Sequence, residues 1–399
     1  MTVSEQAVRA SVGVSESFDT VEAAAEASDR ARTGLEPSCD LAVVFASGNH
    51  LGMAKWLLSE VHERLEPQAL IGCGAGGTVA DGHEMEDTPS VVVWAASLPG
   101  AELETMHLTA ERDAEGFRLL GLPEELTGAA AEGDAPDDES VIALCDPFSF
   151  PAEELIVALE RNRPGAPMIG GLSSASFAGG AMLLRDGEVH TDGAVALRMR
   201  GIEVLPCVSQ GAGPVGPEMT ITSAEANVIA ELAGKPAMER LGEVITALPE
   251  RERELAAAGV LIGLVIDENR PEYERGDFLA RPIIGADRAS GAIAIGEPVR
   301  VGQTVRLQVR DAASADADLR EALRAQTQAL GSDGAAGALL FTCNGRGSHM
   351  FEVPDHDASA IEDSLGAPTA GFFCAGEIGP VGGRNFLHGF TATMAVFPA

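Results

Sequence analysis

The sequence contains very little lysine and few aromatic residues. Lys55 and Lys235 are its only lysines, and Phe, Tyr and Trp together make up 4% of the 399 residues. With 61 acidic residues against 27 basic ones, the formal net charge is −34 at pH 7. Such a surface repels nucleic acid phosphates and anionic lipids, and it offers no aromatic platform for stacked bases. We therefore expect neither nucleic acid nor a membrane surface as a partner.

Long apolar runs are also absent. No run approaches the ~20 residues that a membrane span requires. The beginning of the chain lacks the basic segment and apolar segment of a signal peptide, so we expect a cytoplasmic protein. The strong acidity has two interpretations: codon usage that favours Arg, Ala and Gly, or adaptation to a salt-rich cytoplasm, where high ionic strength screens self-repulsion.

The six cysteines show no C-x-x-C spacing. A cytosolic chain keeps its thiols reduced, and a chain that is 45% hydrophobic has a core large enough to fold without disulfides. We expect most of the cysteines to be small buried apolar residues.

Three segments repeat one pattern: an apolar strand, a helix, and a second apolar strand that ends in glycine or serine. The segments span 41–77, 141–174 and 338–374, with helices predicted over 52–65, 152–161 and 358–365. Apolar strands separated by a helix favour parallel β-α-β pairing. Alternating stretches after each segment indicate added antiparallel strands. The predicted fold class is α/β in the mixed α+β sense: repeated β-α-β units with added antiparallel strands, and mixed sheets covered by helices.

The length suggests roughly two domains of ~100–200 residues each. We place the boundary near residue 220, which gives domains 1–220 and 221–399. After the boundary, 223–241 is predicted as a helix with Ser223 as its N-cap and with Pro236 breaking it. A strand over 260–266 and a hairpin-rich region over 283–309 follow.

Two Gly-rich runs, 343–347 and 374–385, end the two strands of the third segment. Because parallel strands end at the same edge of a sheet, we expect Cys343 and Arg346 to lie beside Cys374 and Glu377. Ligands of open α/β sheets bind at this edge. The predicted ligand-binding residues are Cys343, Asn344, Gly345, Arg346, Cys374, Gly376, Glu377, Arg384 and Asn385.

The charged members of this set have two interpretations. In the first, Arg346 or Arg384 binds a carboxylate through forked hydrogen bonds, and Glu377 binds an ammonium group. In the second, the three side chains form an internal ion-pair network that braces two loops. The first interpretation predicts an amino acid or a similar zwitterion as the ligand.

Catalytic, metal and cofactor sites have weaker support. A nucleophilic Cys343 or Cys374 needs a base, and the histidines nearby in sequence (His349, His356 and His388) show no diagnostic spacing. The donors at 349 and 355–357 match no metal-binding motif, so we interpret them as a solvent-exposed loop. The glycines of 72–77 match G-x-G-x-x-G, yet no helix pattern follows them. We expect no catalytic residue, no metal and no cofactor.

Several motifs together resemble the FIST family, named after F-box and intracellular signal transduction proteins. The run from Phe341 to Gly347 and the run from Gly371 to Phe390 are similar to the end of a FIST C domain. Earlier motifs resemble the FIST N domain: Ile71–Gly77, Ile169–Ser174 and Cys207–Gly216. The resemblance implies a sensory module that binds small ligands, with amino acids the usual suggestion, joined to or acting on a signalling protein.

We expect no separate output domain in this chain and no F-box segment ahead of residue 38. The predicted function is a cytoplasmic module that binds an amino-acid-like small molecule in signal transduction, with a signalling protein as its partner. A binding module is favoured over an enzyme. The alternative function is a cysteine-dependent hydrolase or acyl-transfer enzyme that uses Cys374 or Cys343.

Overall fold

The computed structural model describes residues 7–35, 38–113, 116–126, 138–175, 180–273 and 275–399. The chain folds as two compact units. Unit 1 comprises 1–208, 319–387 and 392–399, and unit 2 comprises 209–318 and 388–391. The predicted boundary between domains 1–220 and 221–399 falls within a strand of unit 2. The division into these two domains stays a prediction.

The first thirteen strands are β1 (Arg9–Ser15), β2 (Leu41–Ser47), β3 (Ala69–Ala75), β4 (Thr78–Ala80), β5 (His83–Met85), β6 (Val91–Ser97), β7 (Glu102–Arg112), β8 (Phe117–Leu120), β9 (Glu139–Cys145), β10 (Met168–Leu172), β11 (Leu183–Arg185), β12 (Glu188–His190) and β13 (Ala194–Arg200). The others are β14 (Leu205–Gln210), β15 (Ala212–Glu225), β16 (Val228–Leu232), β17 (Lys235–Pro236), β18 (Val260–Val265), β19 (Phe278–Asp287), β20 (Ala292–Ile295), β21 (Thr304–Arg310), β22 (Ala335–Cys343), β23 (Thr369–Cys374), β24 (Glu377–Val381), β25 (Arg384–His388) and β26 (Thr391–Pro398).

The helices are α1 (Thr20–Arg32), α2 (Ala54–Leu65), α3 (Ala152–Asn162), α4 (Ala237–Ala247), α5 (Glu250–Ala258), α6 (Ala312–Leu330) and α7 (His356–Leu365). Short 3-10 turns cover Gly48–Met53, Glu124–Leu126 and Gly347–His349. Within the described part of the chain, no helix is both long enough and apolar enough to cross a membrane.

The three predicted β-α-β segments are confirmed in unit 1. Strand β2 runs parallel to β3, β9 to β10, and β22 to β23, with α2, α3 and α7 as the connecting helices. Each first strand also pairs with an antiparallel strand further along the chain: β6, β13 and β26 respectively. The predicted fold class, a mixed α+β arrangement of repeated units with added antiparallel strands, is therefore confirmed.

One glycine recurs at the same place in each repeat. A Cβ atom on Gly72, Gly170 or Gly371 would lie 2.3, 1.9 or 2.2 Å from a backbone carbonyl oxygen of the neighbouring parallel strand. No side chain fits at these distances, so only glycine permits the second strand of each repeat to approach the first this closely. This contact explains part of the glycine content that marked the strand ends in the sequence.

Each repeat donates a hairpin to the sheet of another repeat. The hairpin β4–β5 follows β3 but pairs with β23, β11–β12 follows β10 but pairs with β3, and β24–β25 follows β23 but pairs with β10. The exchange is cyclic, so each of the three sheets of unit 1 is completed by a hairpin from another repeat. It brings β5 of the first repeat to α7, and β24 of the third repeat to β10.

The three sheets of unit 1 share one apolar core and carry helices on their outer faces. Side chains from all three sheets, among them Phe45, Trp94, Leu144, Phe341 and Phe372, are fully buried in the shared core. Separate apolar clusters lie under α1 and α2, under α3, and under α6 and α7. Strands buried on both faces explain why the sequence reads as continuous apolar runs rather than as strict alternation.

Unit 2 is built around a sheet that closes on itself. Its strands pair in the order β15-β21-β18-β19-β20-β16-β17, and β15 also pairs with β16. The helix predicted over 223–241 is wrong: β15 runs to Glu225, β16 follows, and the helix α4 begins only at Ala237. Ala226 adopts a φ of 51° in the turn between the strands, and burial of Ile229 and Leu232 in the closed sheet outweighs the helical propensity of the alanines.

Candidate functional site

The two Gly-rich strand ends of the third repeat lie side by side, as predicted. Cys343 pairs with Cys374 in the parallel register of β22 and β23. The backbone N–H of Asn344 donates to the carbonyl oxygen of Cys374 at 2.9 Å and ties the first residue after β22 to the end of β23. The adjacency follows from parallel pairing alone, which is why the sequence was sufficient to predict it.

Arg346 turns back into unit 1 directly after β22. Its backbone N–H donates to the carbonyl of Cys343 at 2.8 Å, and its side chain is fully buried. Nε donates to Oδ2 of Asp357 at 2.6 Å, and Nη2 donates to Oδ1 at 2.8 Å. Thr342 Oγ1 also donates to Oδ2, at 3.0 Å. Asp357 lies in the first turn of α7, so this two-pronged ion pair joins the strand end to the helix.

Burial and charge act in opposite directions on this pair. Burial by itself raises the pKa of Asp357, but the charge and hydrogen bonds of Arg346, together with His356, lower it well below its usual range. Burial likewise opposes the charged form of Arg346. The charge and hydrogen bonds of Asp357, with smaller contributions from Cys343 and Glu377, outweigh this effect of burial. The pKa of Arg346 is therefore raised. Both side chains are therefore ionised at neutral pH.

The remaining terminal nitrogen of Arg346, Nη1, is buried and has no hydrogen-bond partner among the residues that the structure describes. Glu377 lies within electrostatic range of the guanidinium and is itself fully buried. It occupies the position opposite Gly171 in the β10–β24 pair. A Cβ atom on Gly171 would lie 2.4 Å from Sγ of Cys374. Glycine at this position therefore leaves room for the cysteine sulfur.

An aromatic pair lies against the Arg346–Asp357 pair. The ring of Phe351 stacks on His356 at 3.5 Å with an interplanar angle of 7°. The Arg346 guanidinium carbon is 5.3 Å from the centre of the Phe351 ring, and Nδ1 of His356 is 3.0 Å from Oδ1 of Asp357. The phenyl ring thus packs against both a cation and an imidazole, which keeps water from the ion pair.

The exchanged hairpin adds a second carboxylate. Oε1 of Glu84, on β5, accepts from the backbone N–H groups of Asp357 at 3.0 Å and Ala358 at 3.1 Å. Its other oxygen, Oε2, is buried and finds no hydrogen-bond partner within the described part of the chain. Burial, and to a lesser extent the negative charge of Asp357, raise the pKa of Glu84 to about 7. Glu84 therefore caps α7 with a carboxyl group that changes charge near neutral pH.

Arg384 and Asn385 lie apart from this cluster. Arg384 is exposed, directly after the Gly382–Gly383 turn, with its guanidinium 5.5 Å from the ring of Phe386. Asn385 is buried and braces the hairpin: it accepts from the N–H of Met168 at 2.8 Å and donates to Glu160 at 2.8 Å and to the carbonyl of Ala166 at 2.9 Å. Glu377 begins the same hairpin, and four residues of strand, ~13 Å, separate it from the turn.

Gly376 and the nearby loop complete the placement of the predicted residues. The carbonyl of Gly376 accepts from the N–H of Leu172 at 2.7 Å. Asn344 is exposed, Gly345 is half-buried, and the backbone N–H of Gly345 is 3.4 Å from Sγ of Cys343. Of the nine predicted residues, the structure thus groups those from Cys343 to Arg346 with those from Cys374 to Glu377. It leaves Arg384 and Asn385 at the other end of β24–β25.

Two acidic residues of the cluster, Asp357 and Glu84, were not predicted from the sequence. The interpretation of 355–357 as a solvent-exposed loop is wrong for Asp357, which is fully buried and bound to Arg346. The sequence did contain an indication that Asp357 lies near Arg346. Asp357 is at the start of the helix predicted after β22, and the helix of a β-α-β unit packs back along its first strand. Glu84 had no such indication, since its position depends on hairpin exchange. In the described ranges, no group of three His, Cys, Asp or Glu side chains is arranged as metal ligands.

The thiol of Cys374 is poorly suited to nucleophilic attack. Its residue is fully buried. Burial first, and then the charges of Glu377 and two neighbouring thiols, raise the pKa of Cys374 well above 9. The thiolate is the nucleophilic form, so this side chain is almost wholly protonated at neutral pH and is a poor nucleophile toward a carbonyl substrate.

Two cavities of unit 1 are lined by residues outside the predicted set. One, of about 610 Å³, lies between the C-terminal halves of α1 and α2 and includes Arg32 and Gln68. The other, of about 640 Å³, is lined by Lys55, His62 and His190 among others. Near Arg346, the exposed residues Asn344 and Ser348 lie two positions before it and two positions after it.

Family models match most of the chain. The model of the FIST N domain matches residues 40–235, and the model of the FIST C domain matches residues 237–380. FIST domains are generally taken as sensory domains that bind small ligands in signalling. The motif-bearing strand ends described above, 71–77, 169–174, 341–347 and the beginning of 371–390, lie within these two matches.

Full-length relatives and one solved structure are also similar. "Uncharacterized protein Rv0628c" of Mycobacterium tuberculosis (strain ATCC 25618 / H37Rv) is 46% identical over 394 residues, which cover 98% of this chain and 100% of the relative. "Uncharacterized protein Mb0898c" of Mycobacterium bovis is 44% identical over 396 residues, covering 98% and 99%. A cyanuric acid hydrolase structure aligns over 98% of this chain and 100% of its own, with 11% identity and a TM-score of 0.29, a likeness too weak to bear on activity. The chain belongs to the FIST family, with a FIST N domain followed by a FIST C domain.

Proposed function

We propose that the protein is a cytoplasmic sensory module that binds an amino-acid-like zwitterion beside Arg346 and passes the signal to a partner protein. One observation carries the choice of ligand: among the described residues, buried Nη1 of Arg346 has no hydrogen-bond partner, whereas Nε and Nη2 both donate to Asp357. A buried donor left unpaired costs ~1–3 kcal/mol. A ligand carboxylate that accepts from Nη1 would recover that free energy.

The neighbouring charge supports a zwitterion rather than a simple acid. Asp357 already neutralises the guanidinium, so a second carboxylate would leave excess negative charge in a buried place. Glu377 lies within electrostatic range of Arg346, which positions it to bind an ammonium group on the same ligand. The ligand would enter on the side of Asn344 and Gly345, which are exposed and half-buried respectively.

The proposal is tested by a thermal-shift screen with the proteinogenic amino acids and, in parallel, the amines that lack their carboxylate. An amino acid at 100 times its dissociation constant should stabilise the fold by ~2.7 kcal/mol, and the matching amine should give no shift. Arg346→Lys keeps a positive charge opposite Asp357 but lacks the second terminal nitrogen. It should weaken the binding found in the screen by ~1.5–3 kcal/mol, the value of a charged hydrogen bond.

Arg384→Ala is the matched control, because Arg384 belongs to the same sequence motif but is exposed at the far end of its hairpin. Its affinity should equal that of the unmodified chain. Unchanged affinity in Arg346→Lys, or equal shifts from amines and amino acids, would refute the placement of the ligand. No shift from any amino acid would refute the ligand class.

The second predicted function, cysteine-dependent hydrolysis or acyl transfer, finds no support at Cys374, whose burial raises its pKa. Alkylation measures this directly. Labelling of Cys374 should be slow between pH 7 and pH 8, whereas fast labelling well below pH 8 would favour the enzyme.

A further inference from the structure

Cys343 and Cys374 form a pair of thiols on adjacent strands. They pair in register at the ends of β22 and β23. Phe341 and Phe372, two residues earlier on each strand, also pair in register, and both lie in the shared core of unit 1. Because side chains alternate between the faces of a sheet, Cys343 and Cys374 point to that same face.

The spacing of the two strands suits a covalent bond between these residues. Neighbouring strands lie ~4.8 Å apart, and disulfides join residues whose Cα atoms are ~4.4–6.8 Å apart with Cβ atoms directed to the same side. Both residues carry thiols. We propose that Cys343 and Cys374 are an oxidisable dithiol, which a small peroxide converts into a disulfide beside Arg346.

The surroundings assign different roles to the two sulfurs. Cys343 is 8% exposed and Cys374 is 0% exposed, so peroxide reaches Cys343 first. Negative charge on its sulfur is stabilised by the N–H of Gly345 at 3.4 Å and by the guanidinium of Arg346 within electrostatic range. Cys374 is the buried thiol that then reacts with the oxidised Cys343.

The chemistry balances in two steps. The Cys343 thiolate attacks one peroxide oxygen, the O–O bond breaks, and the departing hydroxide takes a proton to become water, which leaves a sulfenic acid. The Cys374 sulfur gives up its proton and attacks the sulfenic sulfur; the S–O bond breaks, the S–S bond forms, and a second water leaves. One peroxide is reduced and two thiols are oxidised.

The sequence makes this bond easy to detect. Cleavage after arginine separates the two cysteines, because Cys343 falls in the peptide Ala325–Arg346 and Cys374 in the peptide Gly347–Arg384. The intact protein is treated with a small excess of hydrogen peroxide, denatured in an alkylating reagent and digested. We expect the number of alkylated thiols to fall by two from the six present, and the two named peptides to appear linked, with the loss of two hydrogens.

Two variants make the test specific. Cys343→Ser should abolish the linked peptide. Cys73→Ser should leave it unchanged; Cys73 is the matched control because it is the other thiol, besides Cys343, whose charge raises the pKa of Cys374. The proposal is overturned if peroxide leaves all six thiols open to alkylation, if Cys343 is oxidised further without a link, or if Cys374 becomes linked to Cys73. None of these outcomes depends on the identity of the ligand.

Discussion

Glu84 accepts a hydrogen bond from the backbone N–H of Asp357 at 3.0 Å, although the two residues are 273 positions apart in the chain. The carboxyl group therefore caps a helix that belongs to another repeat. Asp357 is bound in turn to Arg346, so the hairpin β4–β5, the helix α7 and the end of β22 are connected through three buried or half-buried charges. Each link of this connection can be tested separately.

The stability of the protein should decrease between pH 5 and pH 7.5 because of Glu84. Burial raises its folded pKa to about 7 from 4.5, so the folded state holds a proton that the unfolded state has released. The free energy of unfolding then falls as pH rises from the unfolded pKa to the folded pKa, by up to ~3 kcal/mol. Denaturant unfolding at a series of pH values measures this slope.

Glu84→Gln keeps an oxygen for the two N–H groups but cannot ionise, so it should remove most of that pH dependence. Glu111→Gln, at an exposed position, is the control and should leave the slope as it is. A slope that is equally steep in Glu84→Gln and in the unmodified chain would contradict the assignment to Glu84.

Arg346→Met should destabilise unit 1 by ~3–5 kcal/mol, because it leaves the buried carboxylate of Asp357 without its counter-charge. The double variant Arg346→Met with Asp357→Leu removes both charges and should recover a large part of this loss. Chemical denaturation of the two single variants and the double variant gives the coupling energy. Costs that simply add in the double variant would show that the two side chains do not stabilise each other.

Gly171→Ala should cost ~1–3 kcal/mol through overpacking. The new Cβ would lie 2.4 Å from Sγ of Cys374, so one of the two residues has to shift. Combining it with Cys374→Ala removes the sulfur and should lower the cost of the alanine. Gly52→Ala is the control for alanine itself, because a Cβ atom added there would meet no heavy atom of the other described residues within 4 Å, apart from its chain neighbours. Equal costs of Gly171→Ala with and without the sulfur would exclude this contact as the cause.

Asn385→Ala and Arg384→Ala should differ strongly in stability despite their adjacency. Asn385 is the hydrogen-bond acceptor of the buried Met168 N–H and binds Glu160, so its loss should cost ~1–3 kcal/mol or more. Arg384 is exposed, and its truncation should change stability by less than ~0.5 kcal/mol. Thermal unfolding of the two variants decides the matter; similar melting temperatures would contradict the bracing role of Asn385.

The sequence by itself determined the local architecture of unit 1. Apolar runs separated by helical patterns identified the three β-α-β segments, and parallel pairing then required that Cys343 and Cys374 end side by side. These predictions succeed because strand and helix periodicity is a property of neighbouring residues, and because a parallel pair has only one arrangement of its ends. The helix predicted over 223–241 failed where burial in a closed sheet outweighed the local preference of alanine.

Only the tertiary structure decided which charges meet. Arg384 and Arg346 appear equivalent in the sequence, yet one is exposed on a hairpin and the other is fully buried against Asp357. The carboxylate of Glu84 reaches α7 because β4–β5 crosses to the sheet of the third repeat. The hydrophobic pattern predicts that a hairpin forms, but it does not predict which sheet edge the hairpin joins. That choice depends on shape and hydrogen bonding between segments far apart in the chain, and the pKa values and contacts of the site depend on it.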